Sequence, residues 1–159
     1  MSFFDKFLKE NIKMNSVAKG KSIEIEKVPD PVFSEKMMGD GIAFVLDHDT
    51  IYAPCDGKIL FVADTLHAVG IQSDSGVELM IHIGLDTVNL KGEGFRKLIS
   101  KNHVKQGDPL INIDLDLMHE KEVNLTTMMI ITNSDKYEIA DKVFGDVNTS
   151  DWVLSVDKR

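Results

Sequence analysis

Apolar residues along this chain recur mostly at period two. Ile23 and Ile25 alternate with charged neighbours, and short apolar or alternating runs follow at residues 42–46, 59–62, 69–71, 77–83, 110–113 and 128–131. A strand sends successive side chains to opposite faces, so runs of this length bounded by turns predict β-strands with a buried face. Asp-Gly, Gly-Asp and Asn-Ser pairs punctuate the runs, and no helical periods alternate with them as βαβ units require. The pattern predicts an all-β fold: an antiparallel β-sandwich, barrel-like, in a single domain with few short helical turns. Met37-Met38 and residues 115–122 are where those turns are expected. The start of the chain differs, because Phe3, Phe4, Phe7 and Leu8 fall on one side of a helical period with Asp5, Lys6 and Lys9 elsewhere. Residues 1–11 therefore read as an amphipathic tail and residues 12–159 as the folded domain. So short a segment holds little helix alone, which favours a tail frayed or packed on the body over a membrane anchor.

The alternation also sets a register. Asp74-Ser75-Gly76 between Ile71 and Val77 predicts a hairpin loop with glycine in the left-handed position. With Ser73 opposite Val77, the pairs Val69/Ile81 and Ile71/Leu79 share the apolar face, and Gln72/Glu78, Gly70/Met80 and Ala68/His82 share the other. His82 then points away from the core, beside a small residue and an exposed Met80. His67 is in conflict with simple alternation, which sends it to the apolar face. It is either a core histidine or is turned onto the surface of His82 by a bend at Thr65-Leu66-His67.

Charge and composition narrow the partners. The 159 residues are 43% hydrophobic, enough for one core. A formal net charge of -8 supplies no clustered cations for phosphate backbones, so nucleic acid is excluded as a partner. One cysteine, Cys55, forms no internal disulfide, and no apolar run reaches the roughly 20 residues of a membrane helix. The N-terminus lacks the layout of a signal peptide. These features point to the cytoplasm, with at most peripheral membrane contact by the tail.

Two imidazoles on one exposed surface fit zinc binding, acid–base work or phosphoryl carriage. A catalytic zinc needs three protein ligands, and the chain has neither His-x-His nor His-Glu-x-x-His. Asp86 offers a third ligand, while His48, His103 and His119 read as ordinary surface residues. A phosphoryl carrier needs less: one neutral ring nitrogen as nucleophile and donors for the phosphate oxygens in a shallow site. Thr65, two positions before His67, suits an orienting hydroxyl. No GxxxxGK[ST] loop supports nucleotide binding.

The segments Leu66-His67-Ala68, Ser75-Gly76-Val77-Glu78-Leu79, His82-Ile83-Gly84-Leu85-Asp86-Thr87 and Leu90-Lys91-Gly92-Glu93-Gly94-Phe95 closely resemble the glucose-type IIA proteins of the phosphoenolpyruvate-dependent phosphotransferase system. Val28-Pro29-Asp30-Pro31-Val32-Phe33, Met38-Gly39-Asp40-Gly41 and Ala53-Pro54-Cys55-Asp56-Gly57 fit the same family. The resemblance implies a β-sandwich with two histidines in a shallow apolar depression. It makes His82 the phosphoryl acceptor, His67 the residue that stabilises the phosphate, turned there by a bend, and Thr65 the group that orients His67. It implies phosphocarrier protein HPr as donor and the cysteine of a IIB domain as acceptor, for sugar uptake and phosphorylation. Asp30, Val32, Phe33, Met38, Ala63, Gly70, Glu78, Met80, Asp86 and Val88 match the family's partner-binding surface. No cofactor is implied beyond a transient phosphohistidine, with zinc at His67 and His82 only where a partner completes the site. Ala63 and Met80 stand where better known members tend to carry aromatic residues, Gln72 where an acidic residue is common, and residues 14–20 lack the usual Ala-Pro. The alternatives are a zinc-dependent peptidase-like domain, related in fold, and a non-catalytic adaptor regulating transporters or metabolic enzymes.

Overall fold

A computed structural model of the chain describes residues 11–159; residues 1–10, and with them all of the expected amphipathic tail but Asn11, lie outside the described residues. The strands, in chain order, are β1 (Ile12–Asn15), β2 (Gly20–Glu24), β3 (Gly41–Leu46), β4 (Thr50–Tyr52), β5 (Gly57–Val62), β6 (Ala68–Ser73), β7 (Glu78–Ile83), β8 (Phe95–Lys97), β9 (His103–Val104), β10 (Pro109–Ile113), β11 (Thr127–Ile131), β12 (Tyr137–Lys142), β13 (Gly145–Val147) and β14 (Trp152–Lys158). All their pairings are antiparallel. A large sheet runs in the order β13-β2-β3-β11-β7-β6-β5-β9, and two small ones run β1-β14-β12 and β4-β10-β8. Only α1 (Pro31–Ser34) and α2 (Leu115–Glu120) are α-helical among the described residues. This is the predicted antiparallel β-sandwich.

Alternation along the central strands explains the layers. Ile42 and Phe44 of β3, Leu79, Ile81 and Ile83 of β7, and Met129 and Ile131 of β11 enter the main core, where they meet Ile51, Leu110, Ile111, Val153, Leu154 and Val156 of the small sheets. The intervening residues Ala43, Met80 and Met128 turn to the opposite face. There a second, smaller core forms, because Ile25, Val28 and Phe33 from the segment between β2 and β3 lie across them. Central strands buried on both faces read as nearly continuous apolar runs, as at 77–83 and 128–131. Among the described residues no buried side-chain nitrogen or oxygen lacks a hydrogen-bond partner.

The β6–β7 hairpin has the expected register, Ala68 opposite His82, Gly70 opposite Met80 and Gln72 opposite Glu78. Gly76 at φ 100 closes its loop, and Ser73 N donates to Val77 O at 2.8 Å. Two expectations are corrected. Met80 is 7% exposed rather than open, because the second core covers the face on which it lies. The first helical turn falls at Pro31–Ser34 instead of Met37-Met38: Asp30 Oδ1 accepts from Val32 N at 3.0 Å and Pro31 takes the first helical position, a capping arrangement the methionines lack. The second, α2, is as expected, capped by Asp114.

Candidate functional site

His82 stands near the end of β7 on the outer face of the large sheet, between Met128 of β11 and Ala68 of β6. Just beyond it Gly84 adopts φ 76, a left-handed turn that glycine takes without cost from a side chain. The turn brings the Gly84 carbonyl to 2.9 Å from His82 Nδ1. A carbonyl only accepts, so Nδ1 carries the proton and the neutral ring keeps its lone pair on Nε2. Among the described residues Nε2 has no hydrogen-bond partner, and since no buried side-chain polar atom among them is unpaired, it is not buried by them.

His67 reaches the same place through the β5–β6 connection. Ala63 N donates to Ala68 O at 2.9 Å, and Leu66 N donates to Ala63 O at 2.8 Å. Leu66 sits at φ 59, a left-handed conformation unusual for a branched side chain. That kink breaks the alternation and turns His67 outward, settling the conflict in favour of a bend. Its carbonyl accepts from Ile83 N at 2.7 Å, which ties it to the residue after His82. The two imidazole centroids lie 5.1 Å apart, nearly edge to face at 78°. Thr65 Oγ1 is 2.5 Å from His67 Nδ1.

Phe33 packs its ring 4.9 Å from that of His82. Burial there pushes the His82 pKa down, and the neighbouring His67 adds to the shift; the Gly84 carbonyl and Asp30 oppose it without reversing it. Burial lowers His67 as well. Both rings are therefore held neutral at pH values where a free histidine begins to charge.

Val32, Met38 and Val88 surround the rings as exposed apolar residues in a shallow depression with Phe33 and Met80 in its lining, and Asp30 and Asp86 contribute carboxylates at its border. Ala63, Gly70 and Glu78 do not line it. Ala63 is half-buried against the second core, and Glu78 lies four residues down β7 from His82, roughly 13 Å at strand rise. Gly70 is roofed by Phe61, whose ring would come within 2.2 Å of a Cβ built there. Phe61 and the buried Thr87 are site-side residues that sequence reasoning missed. A register shift between Ile59 and Phe61 puts Phe61 on the outer face, and only the pairing with β6 reveals it.

The other histidines stay away from the depression. His103 Nε2 meets Asp74 at 2.9 Å on the surface, and His48 and His119 are exposed. Among the described residues no three His, Cys, Asp or Glu side chains form a group able to hold a metal. Cys55 is buried in the main core, its thiol pushed up to about 12 chiefly by burial, so it is no thiolate nucleophile. No helix among the described residues is long and apolar enough to cross a membrane.

Residues 12–137 match the family described as phosphoenolpyruvate-dependent sugar phosphotransferase system, EIIA 1. A glucose-specific EIIA component from Borreliella burgdorferi is 38% identical, over 98% of this chain and 84% of its own length. One from Staphylococcus epidermidis is 43% identical, over 81% of this chain and 78% of its own. The solved structure of glucose permease IIA from Mycoplasma capricolum superposes with a TM-score of 0.86 at 36% identity, covering 98% of this chain and 99% of that one.

Proposed function

This chain belongs to the EIIA 1 family of the phosphoenolpyruvate-dependent sugar phosphotransferase system, and from that premise we propose that His82 is its phosphoryl acceptor, His67 the donor that steadies the phosphoryl oxygens, and Thr65 the hydroxyl that orients His67. As a family member it is a phosphotransferase component that relays phosphate through a histidine. Neither a peptidase nor a purely non-catalytic adaptor has support from its relatives. The observation that carries the assignment is the Gly84 carbonyl on His82 Nδ1, which leaves the Nε2 lone pair as the nucleophile.

In the proposed step Nε2 attacks the phosphorus of phospho-HPr in line. The new N–P bond forms as the donor's N–P bond breaks: phospho-HPr reacts with its ring protonated on the other nitrogen and leaves as neutral imidazole, while the phosphorylated His82 ring keeps its Nδ1 proton on the Gly84 carbonyl and takes over the positive charge. Thr65 donates its hydroxyl to His67 Nδ1, so that His67 carries its proton on Nε2 and offers it to a phosphoryl oxygen. The arriving negative charge then favours protonation of His67, offsetting the burial that keeps it neutral before transfer. A IIB cysteine thiolate removes the group by the reverse in-line attack, and His82 returns to its neutral tautomer.

Both partners dock, in this reading, on the apolar surface of Val32, Met38 and Val88, with Phe33 and Met80 as support and Asp30 and Asp86 attracting cations. The relatives' names carry glucose, and we take a glucose-type permease as the one served. The only group carried is a transient phosphohistidine; His67 and His82 alone are too few ligands for tight zinc, so zinc belongs to an interface where a partner adds more. Phosphopeptide mapping after incubation with phosphoenolpyruvate, Enzyme I and HPr tests the assignment. Acid-labile phosphate is expected on the peptide bearing His82, and its appearance on any other residue defeats the proposal.

A further inference from the structure

The Gly84 carbonyl decides which nitrogen of His82 is free, so whatever holds that carbonyl holds the nucleophile. Gly84 itself cannot, since glycine at φ 76 has wide conformational freedom. Thr87 supplies the side chain that packs on Gly84, with the backbone of Asn124 and Leu125 beside it. Its side chain is 1% exposed, its hydroxyl donates to the Ile83 carbonyl at 2.5 Å, and its methyl occupies the space a Cβ on Gly84 would enter, 2.5 Å from that position. Ile83 is also the node between the histidines: it follows His82 directly, and its N–H donates to the His67 carbonyl. On the far side the turn is fixed by Leu85 N donating to Asn124 O at 2.9 Å.

We propose that Thr87 is a positioning residue for His82, its buried hydroxyl clamping the Ile83–Gly84 backbone so that the Gly84 carbonyl stays on Nδ1 and the lone pair stays on Nε2. The proposal rests on His82 being the phosphoryl acceptor. Thr87 makes no hydrogen bond to the His82 ring, whose Nδ1 is taken by the Gly84 carbonyl, and its own hydroxyl is taken by the Ile83 carbonyl. It acts by preventing the peptide after Ile83 from rotating, which would release Nδ1–H and let the ring exchange tautomers. Loss of such an outer contact typically costs about tenfold or more in activity.

Thr87→Val keeps the shape and removes the donor, and Thr87→Ser keeps the donor and removes the methyl. Two quantities are read on the full chain: the His82 tautomer, from ring-nitrogen NMR, and the rate of phosphoryl uptake from phospho-HPr. The parent shows one tautomer protonated on Nδ1. The valine variant shows a mixture and about tenfold slower uptake, and serine restores both. If the valine protein does not fold, Thr87→Ala takes its place with the same expected loss. An unchanged tautomer and rate without the hydroxyl overturns the proposal, as does a serine variant as impaired as valine. The same samples are mapped for phosphate: label away from His82 defeats the acceptor assignment, whereas an unchanged tautomer defeats the role of Thr87 even with label on His82.

Discussion

His82 and His67 lie side by side with different hydrogen-bonding obligations. His82 donates from Nδ1 to a backbone carbonyl, while His67 meets a hydroxyl that either gives or takes a proton. A nucleophile is indispensable and an assisting donor is not, so substitutions at the two positions separate them. His82→Gln removes the attacking nitrogen and abolishes uptake from phospho-HPr. His67→Gln leaves that nitrogen in place and offers an amide N–H as a partial substitute, so uptake persists. Onward transfer to a IIB cysteine suffers more, because an amide cannot change protonation state as charge leaves His82. Single-turnover assays of each half-reaction distinguish the outcomes, and stable phosphate on the His82→Gln protein would mean the roles are reversed.

At the scale of elements, the segment carrying α1 matters most, because it converts an exposed sheet face into a second core with His82 at its margin. Phe33 is 4% exposed and joins that core to the imidazole. Phe33→Ala is expected to cost about 3 kcal/mol, the low end for a buried aromatic at the edge of a small cluster. It also readmits water, and since burial is the chief cause of the lowered His82 pKa, the value rises toward the ordinary 6.5. The sign for stability follows. A histidine depressed in the folded state is fully stabilising above its unfolded pKa, and that contribution is lost as pH falls from there toward the folded value, where the unfolded chain binds more protons. The parent therefore loses melting temperature on acidification through this window, and Phe33→Ala loses less from His82. NMR titration of His82 beside thermal melts checks both; equal titration in parent and variant rules out burial as the cause.

Over the whole molecule the formal net charge is -8, and Asp30 and Asp86 place part of it beside the histidines. Long-range attraction of a basic partner acts mainly on association and is screened by salt. Asparagine isolates the charge: at 30 it still caps α1, and at 86, where φ is 57, it tolerates the left-handed turn. The Asp30→Asn, Asp86→Asn double variant should associate with HPr severalfold more slowly at low ionic strength, the difference closing near molar salt where the Debye length is about 3 Å. Stopped-flow association rates across a salt series decide it, and a difference in dissociation alone would remove steering from the account. How far such features can be read without coordinates depends on the range of the forces behind them. Alternation alone placed the central strands, the register of β6 against β7 and the face that bears His82, because strand geometry translates local order directly into facing. It passed over β1, β4, β8, β9, β12, β13 and β14, several of them three residues or fewer, where too few positions exist to establish a period. The family resemblance, not the periodicity, anticipated the bend at His67, since nothing in Leu66 signals a left-handed backbone. Burial of Met80 and the roof of Phe61 over Gly70 were decided only in the tertiary structure, because each depends on a partner brought near by folding; the bond from Thr87 to Ile83 spans four residues, but it needs the left-handed turns at Gly84 and Asp86, which alternation does not show. The sequence by itself determined which residues face together; the tertiary structure decided what covers them, and that covering holds the two histidines neutral and side by side.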